Sequence, residues 1–238
     1  MSKPLTRWKV LPHGKLTPID DNILTVVGEI HMPLTDLPRR MTVVRLRDGH
    51  LVVFSAIALD ESEMSALEAF GRPAFLVVPS DRHRLDAKIW KDRYPQMKVV
   101  APDGARAKVD ETVHVDSAAP EFGDPDVKFT TVAGTRGREA ALRVHGPNGT
   151  TLVLNDVVGN IRHASGFGGW LLRVMGFAGD EAQVPKVVKL AIIADKNALR
   201  AQLLQWAAIA SLRRILVSHG SAIDDDPPQT LRELAAAL

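Results

Sequence analysis

The 238-residue sequence predicts one α/β domain folded as a four-layer αββα sandwich, two sheets between outer helices. Three observations predict it. The chain opens on β-branched runs, passes into alternating strand and helix patterns, returns to β-branched runs and closes on helices, as a duplicated strand–strand–helix unit would. Short, continuous apolar runs at Ala74 to Val78 and Ile215 to Val217 suit strands buried on both faces. Residues able to hold a metal follow three of the apolar runs. The core of the single domain is expected between about residues 22 and 220.

Each element has a local reason. Asn22 to Ile30, Met41 to Leu46 and Leu51 to Ala56 are β-branched runs. Arg47-Asp48-Gly49-His50 joins the last two, and Asp-Gly is a strong hairpin signal. The period then changes. Asp60 precedes a helix to Phe70, with Glu63 three residues on as in a capping box. Met64, Leu67 and Phe70 share a helical face, and Gly71 supplies the stop. Ala74 to Val78 reads as a strand. A helix carrying Leu85, Ile89 and Trp90 ends before Tyr94-Pro95, and Met97 to Ala101 is the next strand. Strand then helix then strand predicts parallel crossovers.

Thr112 to Val115, Val127 to Val132, Ala140 to Val144 and Thr151 to Leu154 are strand-like, with Gly146-Pro147-Asn148-Gly149 as a hairpin loop. Trp170 to Phe177 is very apolar and bordered by Gly166, Gly168, Gly169 and Gly176. It reads as a helix packed on the core, or as a glycine-hinged lid or dimer contact. Asp195 caps a helix to about Ala210, with Leu199, Leu203 and Trp206 at helical spacing. Ile215 to Val217 is a strand and Thr230 to Leu238 a terminal helix.

Composition narrows the function. There is no cysteine, which excludes disulfides, thiol catalysis and thiolate metal sites. Lys and Arg total 30 against 28 Asp and Glu, for a net charge of +2. The basic residues are scattered without interleaved aromatics, so no nucleic-acid partner is expected. No window reaches the length of a membrane span, and Met1 to Gly14 lacks the apolar core of a signal peptide. A cytoplasmic protein with no membrane partner is expected, and a homodimer is compatible with the apolar segment above.

The chemistry gathers after three strands. Val78 leads into Pro79 to Asp86, which holds His83 and Asp86; Leu154 leads into Asn155-Asp156; Val217 leads into Ser218-His219-Gly220. Sites in α/β sheets form just outside the carboxyl ends of strands. Imidazole with carboxylate suits zinc, iron or manganese. His83, Asp86, Asp156 and His219 are therefore the candidate metal ligands. Each has a plainer alternative: a turn or cap for Asp156, a bond to a loop carbonyl for His219, an exposed loop position for His83, a helix cap for Asp86. His31, His145 and His163 read as ordinary surface or loop residues.

These segments, in this order and spacing, resemble the metallo-β-lactamase superfamily. Pro79, His83, Trp90, Tyr94-Pro95 and Ala101-Pro102, with Arg40 to Leu46, are similar to an uncharacterised bacterial branch of it. The resemblance implies ligands at one edge of the sandwich: an HxHxDH loop, an isolated histidine, a metal-bridging aspartate and a final histidine. Asp156 stands for the bridging aspartate and His219 for the final histidine. Ser80 to Asp86 occupies the HxHxDH place with only His83 and Asp86 as ligands, and Val132 to Gly137 holds no histidine. The resemblance thus implies a degenerate site with at most one divalent metal, held by Asp86, Asp156 and His219 with His83 as a fourth group if the loop shifts register. Two functions follow. One is a hydrolase acting on a small ester, thioester, lactone or phosphoester, with water activated by the metal, which lowers its pKa towards about 7. The other is a metal-free, non-catalytic descendant binding a small ligand or a protein, with Arg82 or Arg84 placing a guanidinium where a metal would sit. A di-iron redox centre is disfavoured by the depleted ligand set.

Overall fold

The β-branched runs of the first hundred residues pair in sequence order into a six-stranded sheet: β1 (Thr17–Asp20), β2 (Ile23–Met32), β3 (Thr35–Arg45), β4 (His50–Phe54), β5 (Arg72–Val77) and β6 (Lys98–Val100). This is a computed structural model, and it describes residues 3–32, 35–162 and 166–238. Strands β1 to β4 are antiparallel, whereas β4, β5 and β6 run parallel. Parallel neighbours need crossovers. Helices α1 (Glu61–Phe70) and α2 (Ala87–Arg93) supply them, and α3 (Asp103–Asp110) follows. The second sheet is four-stranded in the order β10 (Leu212–Gly220), β9 (Gly149–Asn160), β8 (Ala140–Gly146), β7 (Val127–Thr131). Its β9 and β10 are parallel, joined through α4 (Gly166–Met175), α5 (Lys186–Ala191) and α6 (Lys196–Ala207); α7 (Pro227–Ala236) closes the chain.

Alternation along the strands creates the layers, because successive side chains leave opposite faces. On the first sheet Val43, Leu51 and Val53 pack under Met64, Leu67, Ile89 and Trp90 of the helices. Their neighbours Val44, Val52 and Phe54 face the other sheet and meet Leu142, Val144, Val153 and Leu216. On the second sheet Leu152, Leu154, Ile215 and Val217 pack under Leu199, Leu203, Trp206 and Leu231. The result is the expected αββα sandwich. Among the described residues no helix is long and apolar enough to cross a membrane.

Several local expectations change. Thr112 to Val115 is not a strand. It turns out of α3 through Thr112 and Val113 N–H bonds to the Val109 carbonyl, and only Asp116 and Ser117 then reach the backbone of Val99. Its valines are β-branched because they fill the core, not because they pair. Asp60 caps α1 by accepting from the Glu63 N–H at 3.0 Å, but the reciprocal half of the capping box is absent. The Glu63 carboxylate instead accepts from the Leu16 N–H at 2.6 Å. Gly71 is extended, with φ 173°, and its need is for space: a Cβ there would lie 2.6 Å from the Gly49 carbonyl oxygen. Residues 170–177 lie mostly in α4, which buries Gly169 and Leu172 but leaves Phe167, Trp170 and Val174 exposed.

The most consequential difference concerns β9 and β10. Both run past the points where the apolar runs end, so Asp156 and His219 lie within strands and not on loops beyond them. Val217 pairs with Leu154, but His219 pairs with Gly159. The residues between Leu154 and Gly159 form a bulge in β9, and bulges re-aim side chains beside functional sites.

Candidate metal centre

Three elements deliver the polar side chains to one edge of the sandwich. The loop after β5 turns back at His83, whose N–H bonds to the Ser80 carbonyl. The bulge in β9 presents Asp156, and the end of β10 presents His219. Nε2 of His83 and Nε2 of His219 each lie 3.1 Å from the same oxygen, Oδ1 of Asp156. Asp156 and His219 are buried and His83 nearly so.

Both imidazoles are held from behind. His219 Nδ1 lies 2.7 Å from the carbonyl oxygen of Pro38. A carbonyl only accepts, so Nδ1 carries a proton, and Nε2 is the ring nitrogen turned towards Asp156. His83 Nδ1 is 2.9 Å from the Ser55 hydroxyl. Ser55 sits just after β4 with φ 56°, a left-handed conformation that is uncommon for a residue with a Cβ. Its N–H bonds the Val77 carbonyl, which ties this turn to β5. Behind β10, the buried Arg40 donates to the carbonyls of Val217 and Gly220, at 3.2 and 2.9 Å, and fixes the strand that carries His219.

The other oxygen of Asp156 is taken. Arg82 Nε donates to Oδ2 at 3.1 Å, and its Nη2 donates to Glu139 Oε1 at 3.1 Å. Glu139 is fully buried and accepts on Oε2 from Asn155 Nδ2 at 2.9 Å and from the Asp156 N–H at 3.3 Å. Ser218 in turn donates to Asn155 Oδ1 at 2.8 Å. Burial pushes the Glu139 carboxyl well above its usual range, and the nearby Asp156 charge adds to the rise. Burial also acts to raise Asp156, but the charges of and hydrogen bonds from His83 and His219 outweigh it and hold Asp156 well below the carboxylate range. Burial lowers the His83 pKa against the opposing pull of Asp156. For Arg82, burial opposes the charged form, and the carboxylates of Asp156 and Glu139 more than restore it.

The structure brings together three of the four candidate ligands and places Asp86 elsewhere. Asp86 ion-pairs with the buried Arg39 and accepts from the Ala58 N–H at 3.0 Å. It stands at the N-cap position of α2 yet makes no capping bond there. Arg84 turns away to the Lys108 carbonyl and Glu111. His145 bonds Thr150 near its hairpin. His163 lies outside the described residues, as does the side chain of His31. Ser55 and Glu139 escaped the sequence reading, and Arg40 entered it only as the start of a motif segment. Glu139 follows two arginines at the start of a strand, where an acidic residue looks like a solvated one.

His83, Asp156 and His219 form a cluster able to coordinate a single divalent metal: one donor atom from each lies within 4.8 Å of the others. Metal–ligand distances of about 2.0–2.1 Å put neighbouring tetrahedral donors roughly 3.3 Å apart. The two 3.1 Å separations at Asp156 Oδ1 are close to that value. Neutral imidazole nitrogens with an ionised carboxylate form a donor set that zinc, iron or manganese accepts. A cavity of about 450 Å³ opens over the cluster, walled on the far side by apolar residues of α4 and α5.

Solved structures show the same architecture. The metallo-β-lactamase FIM-1 from Pseudomonas aeruginosa, in its mono-zinc form, superposes with a TM-score of 0.62 at 12% identity, over 96% of this chain and 97% of that one. A metallo-β-lactamase from Hirschia baltica superposes with a TM-score of 0.60 at 10% identity, over 94% and 98%. The chain has the metallo-β-lactamase fold. No protein-family model and no curated protein matches it. Against the metallo-β-lactamase pattern of about six ligands, its metal-binding set among the described residues is the incomplete three-residue group just described.

Proposed function

We propose that this metallo-β-lactamase-fold protein holds one divalent metal ion through His83 Nε2, Asp156 Oδ1 and His219 Nε2, and hydrolyses a small ester-like substrate in the adjoining cavity. One observation carries the reading. Two imidazole nitrogens converge on one carboxylate oxygen, and the far nitrogen of each ring is already engaged, by Ser55 and by the Pro38 carbonyl. Such backing bonds orient metal-ligating histidines. A divalent ion held by these three residues would supply Lewis acidity for hydrolysis by water. The chain's own residues do the rest. Glu139 and Asn155 anchor the peptide that carries Asp156. Arg82 neutralises the outer oxygen of Asp156, so the carboxylate offers one oxygen to the ion. The apolar wall of the cavity excludes bulk water.

On this reading His83 is the last histidine of the HxHxDH pattern. Its aspartate then falls on Arg82, and its first two histidines on Val78 and Ser80. The arginine removes one ligand and brings a positive charge to the place of a second ion. That same arginine favours a second reading, a metal-free protein that keeps the cavity for binding alone.

Elemental analysis of untagged protein, beside the double variant Asp156→Ala, His219→Ala, separates the two. About one equivalent of zinc, iron or manganese, lost in the variant, is the expected result. No metal in either protein after incubation with zinc, iron and manganese salts would leave only the binding role.

A further inference from the structure

Four of the seven large hydrophobic side chains left exposed among the described residues lie on α4 and α5. Phe167 is 65%, Trp170 57% and Leu190 88% exposed, and Val174 is the fourth. Phe167 and Trp170 stack with ring centroids 5.7 Å apart, so the two rings form one apolar plate. Spacings of three and four residues place Phe167, Trp170 and Val174 on one face of α4. Its other side, with Leu171, Leu172 and Met175, lines the cavity beside the cluster, as Val187 and Val188 of α5 do. A helix apolar on both sides calls for cover on both, and clustered exposed apolar groups mark an interaction surface. The remaining three, Val10, Val27 and Leu204, are scattered over the N-terminal segment, β2 and α6 and need no such account.

The charges of the two helices decide what covers this face. Arg173, Lys186 and Lys189 are basic, and neither helix carries an acid. Lys189 donates to the Ala237 carbonyl at 2.7 Å, whereas Arg173 and Lys186 have no ion-pair partner among the described residues. Lys186 is one helical turn from Leu190 and abuts the end of α4: a Cβ on Gly176 would lie 2.7 Å from the Lys186 backbone nitrogen. The acids between the helices, Asp180 and Glu181, sit on a loop whose Gly179 and Gln183 bond back to Ile161 and Gly159. A second copy of the chain would meet this face with the same face in a two-fold contact, setting Arg173 and Lys186 against their own kind. An anionic lipid surface suits both sets of groups, because Trp settles at the headgroup level while Lys and Arg meet phosphates. We propose that α4 and α5 dock on an anionic lipid surface, with Phe167, Trp170, Val174 and Leu190 at the headgroup–acyl boundary and Arg173 and Lys186 on headgroup phosphates. The expectation of no membrane partner rested on the absence of a span, and a helix lying in the interface needs none. The docking requires no metal, so it stands or falls apart from the function proposed above.

Trp170 reports its own insertion. The other tryptophans are shielded: Trp90 is fully buried, Trp206 nearly so, and Trp8 packs against Trp90. The protein is pelleted with vesicles of phosphatidylcholine alone, or of phosphatidylcholine and phosphatidylglycerol in equal parts. Parallel vesicles carry brominated acyl chains, which quench tryptophan on contact. The wild type is expected to bind the mixed vesicles about tenfold more tightly than the neutral ones, less so as salt rises, and to be quenched. Trp170→Phe should still bind but lose most of the quenching. Phe167→Ser with Trp170→Ser should weaken binding by about tenfold or more. Arg173→Gln with Lys186→Gln should cost about tenfold on the mixed vesicles only. All four side chains are exposed, so the variants should melt with the wild type. No binding by the wild type, or binding unchanged in either double variant, would overturn the assignment. So would a dimer, seen by sedimentation, that Phe167→Ser with Trp170→Ser dissolves while vesicles bind neither protein; that result gives the face to a second copy.

Discussion

Ser55 shows how one residue serves both backbone and site. Its φ of 56° is strained for a side chain, and its hydroxyl is what holds His83 Nδ1. The two roles separate by substitution. Ser55→Gly relaxes the backbone, so urea unfolding should show stability kept or raised by up to about 1 kcal/mol. Both Ser55→Gly and Ser55→Ala lose the backing bond and should weaken metal binding by about 10-fold or more in a chelator competition. If Ser55→Gly keeps wild-type metal affinity, Ser55 does not position His83. Gly220 is a harder constraint. Its φ is 113°, and a Cβ there would lie 2.1 Å from the Asn160 carbonyl oxygen. Gly220→Ala should therefore lose roughly 2–4 kcal/mol in the same assay. At this scale the sequence named His83, Asp86, Asp156 and His219 together, and the structure gathers His83, Asp156 and His219 while pairing Asp86 with Arg39. A carboxylate three residues after a histidine has the chemistry of a ligand, and only the buried Arg39 across the fold shows where its charge goes.

Elements were legible wherever a local rule governs. Asp195 caps α6 by accepting from the N–H groups of Asn197 and Ala198, at 2.9 and 3.0 Å. Asp195→Ala should cost about 1 kcal/mol of stability, whereas Leu203→Ala in the middle of the same helix should cost about 2–5 kcal/mol by opening a cavity. Chemical denaturation of the two variants checks the ratio; equal losses would mean that α6 is held by its cap and not by its buried face. Elements without a strong periodic signal were missed. Helix α3 buries little beyond Ala105 and Val109, and α5 is only six residues long. The bulge in β9 could not be read at all, because it exists only relative to β10.

Across the whole molecule, the cluster ties the two sheets together. His83 follows β5 of one sheet, while Asp156 and His219 belong to β9 and β10 of the other. An ion held there stabilises the folded chain by mass action, about 2.7 kcal/mol at a hundredfold excess over its dissociation constant. For a protein of this size that corresponds to a rise in Tm of roughly 5–10 °C. Calorimetry with zinc and then with chelator should show the shift and its loss, and Asp156→Ala should show neither. Arg40 makes the same connection without metal, reaching from β3 to the backbone of β10. Arg40→Met should leave those carbonyls unpaired and lower stability by about 3 kcal/mol, with metal affinity falling in parallel because His219 is no longer fixed.

The sequence by itself determined the layers, the alternation of the main strands and of helices α1, α2, α6 and α7, the hairpin turns, the caps at Asp60 and Asp195, and the absence of any cysteine ligand. Those features follow from periodicity, side-chain shape and local hydrogen bonding, which neighbouring residues settle among themselves. The tertiary structure alone decided that Asp86 pairs with Arg39, that Arg82 and Glu139 enclose one side of Asp156, and that Ser55 and Pro38 back the two histidines. Each of these joins residues far apart in the chain. A buried charge takes whichever partner the packing of distant segments brings within reach, and no local pattern records that choice.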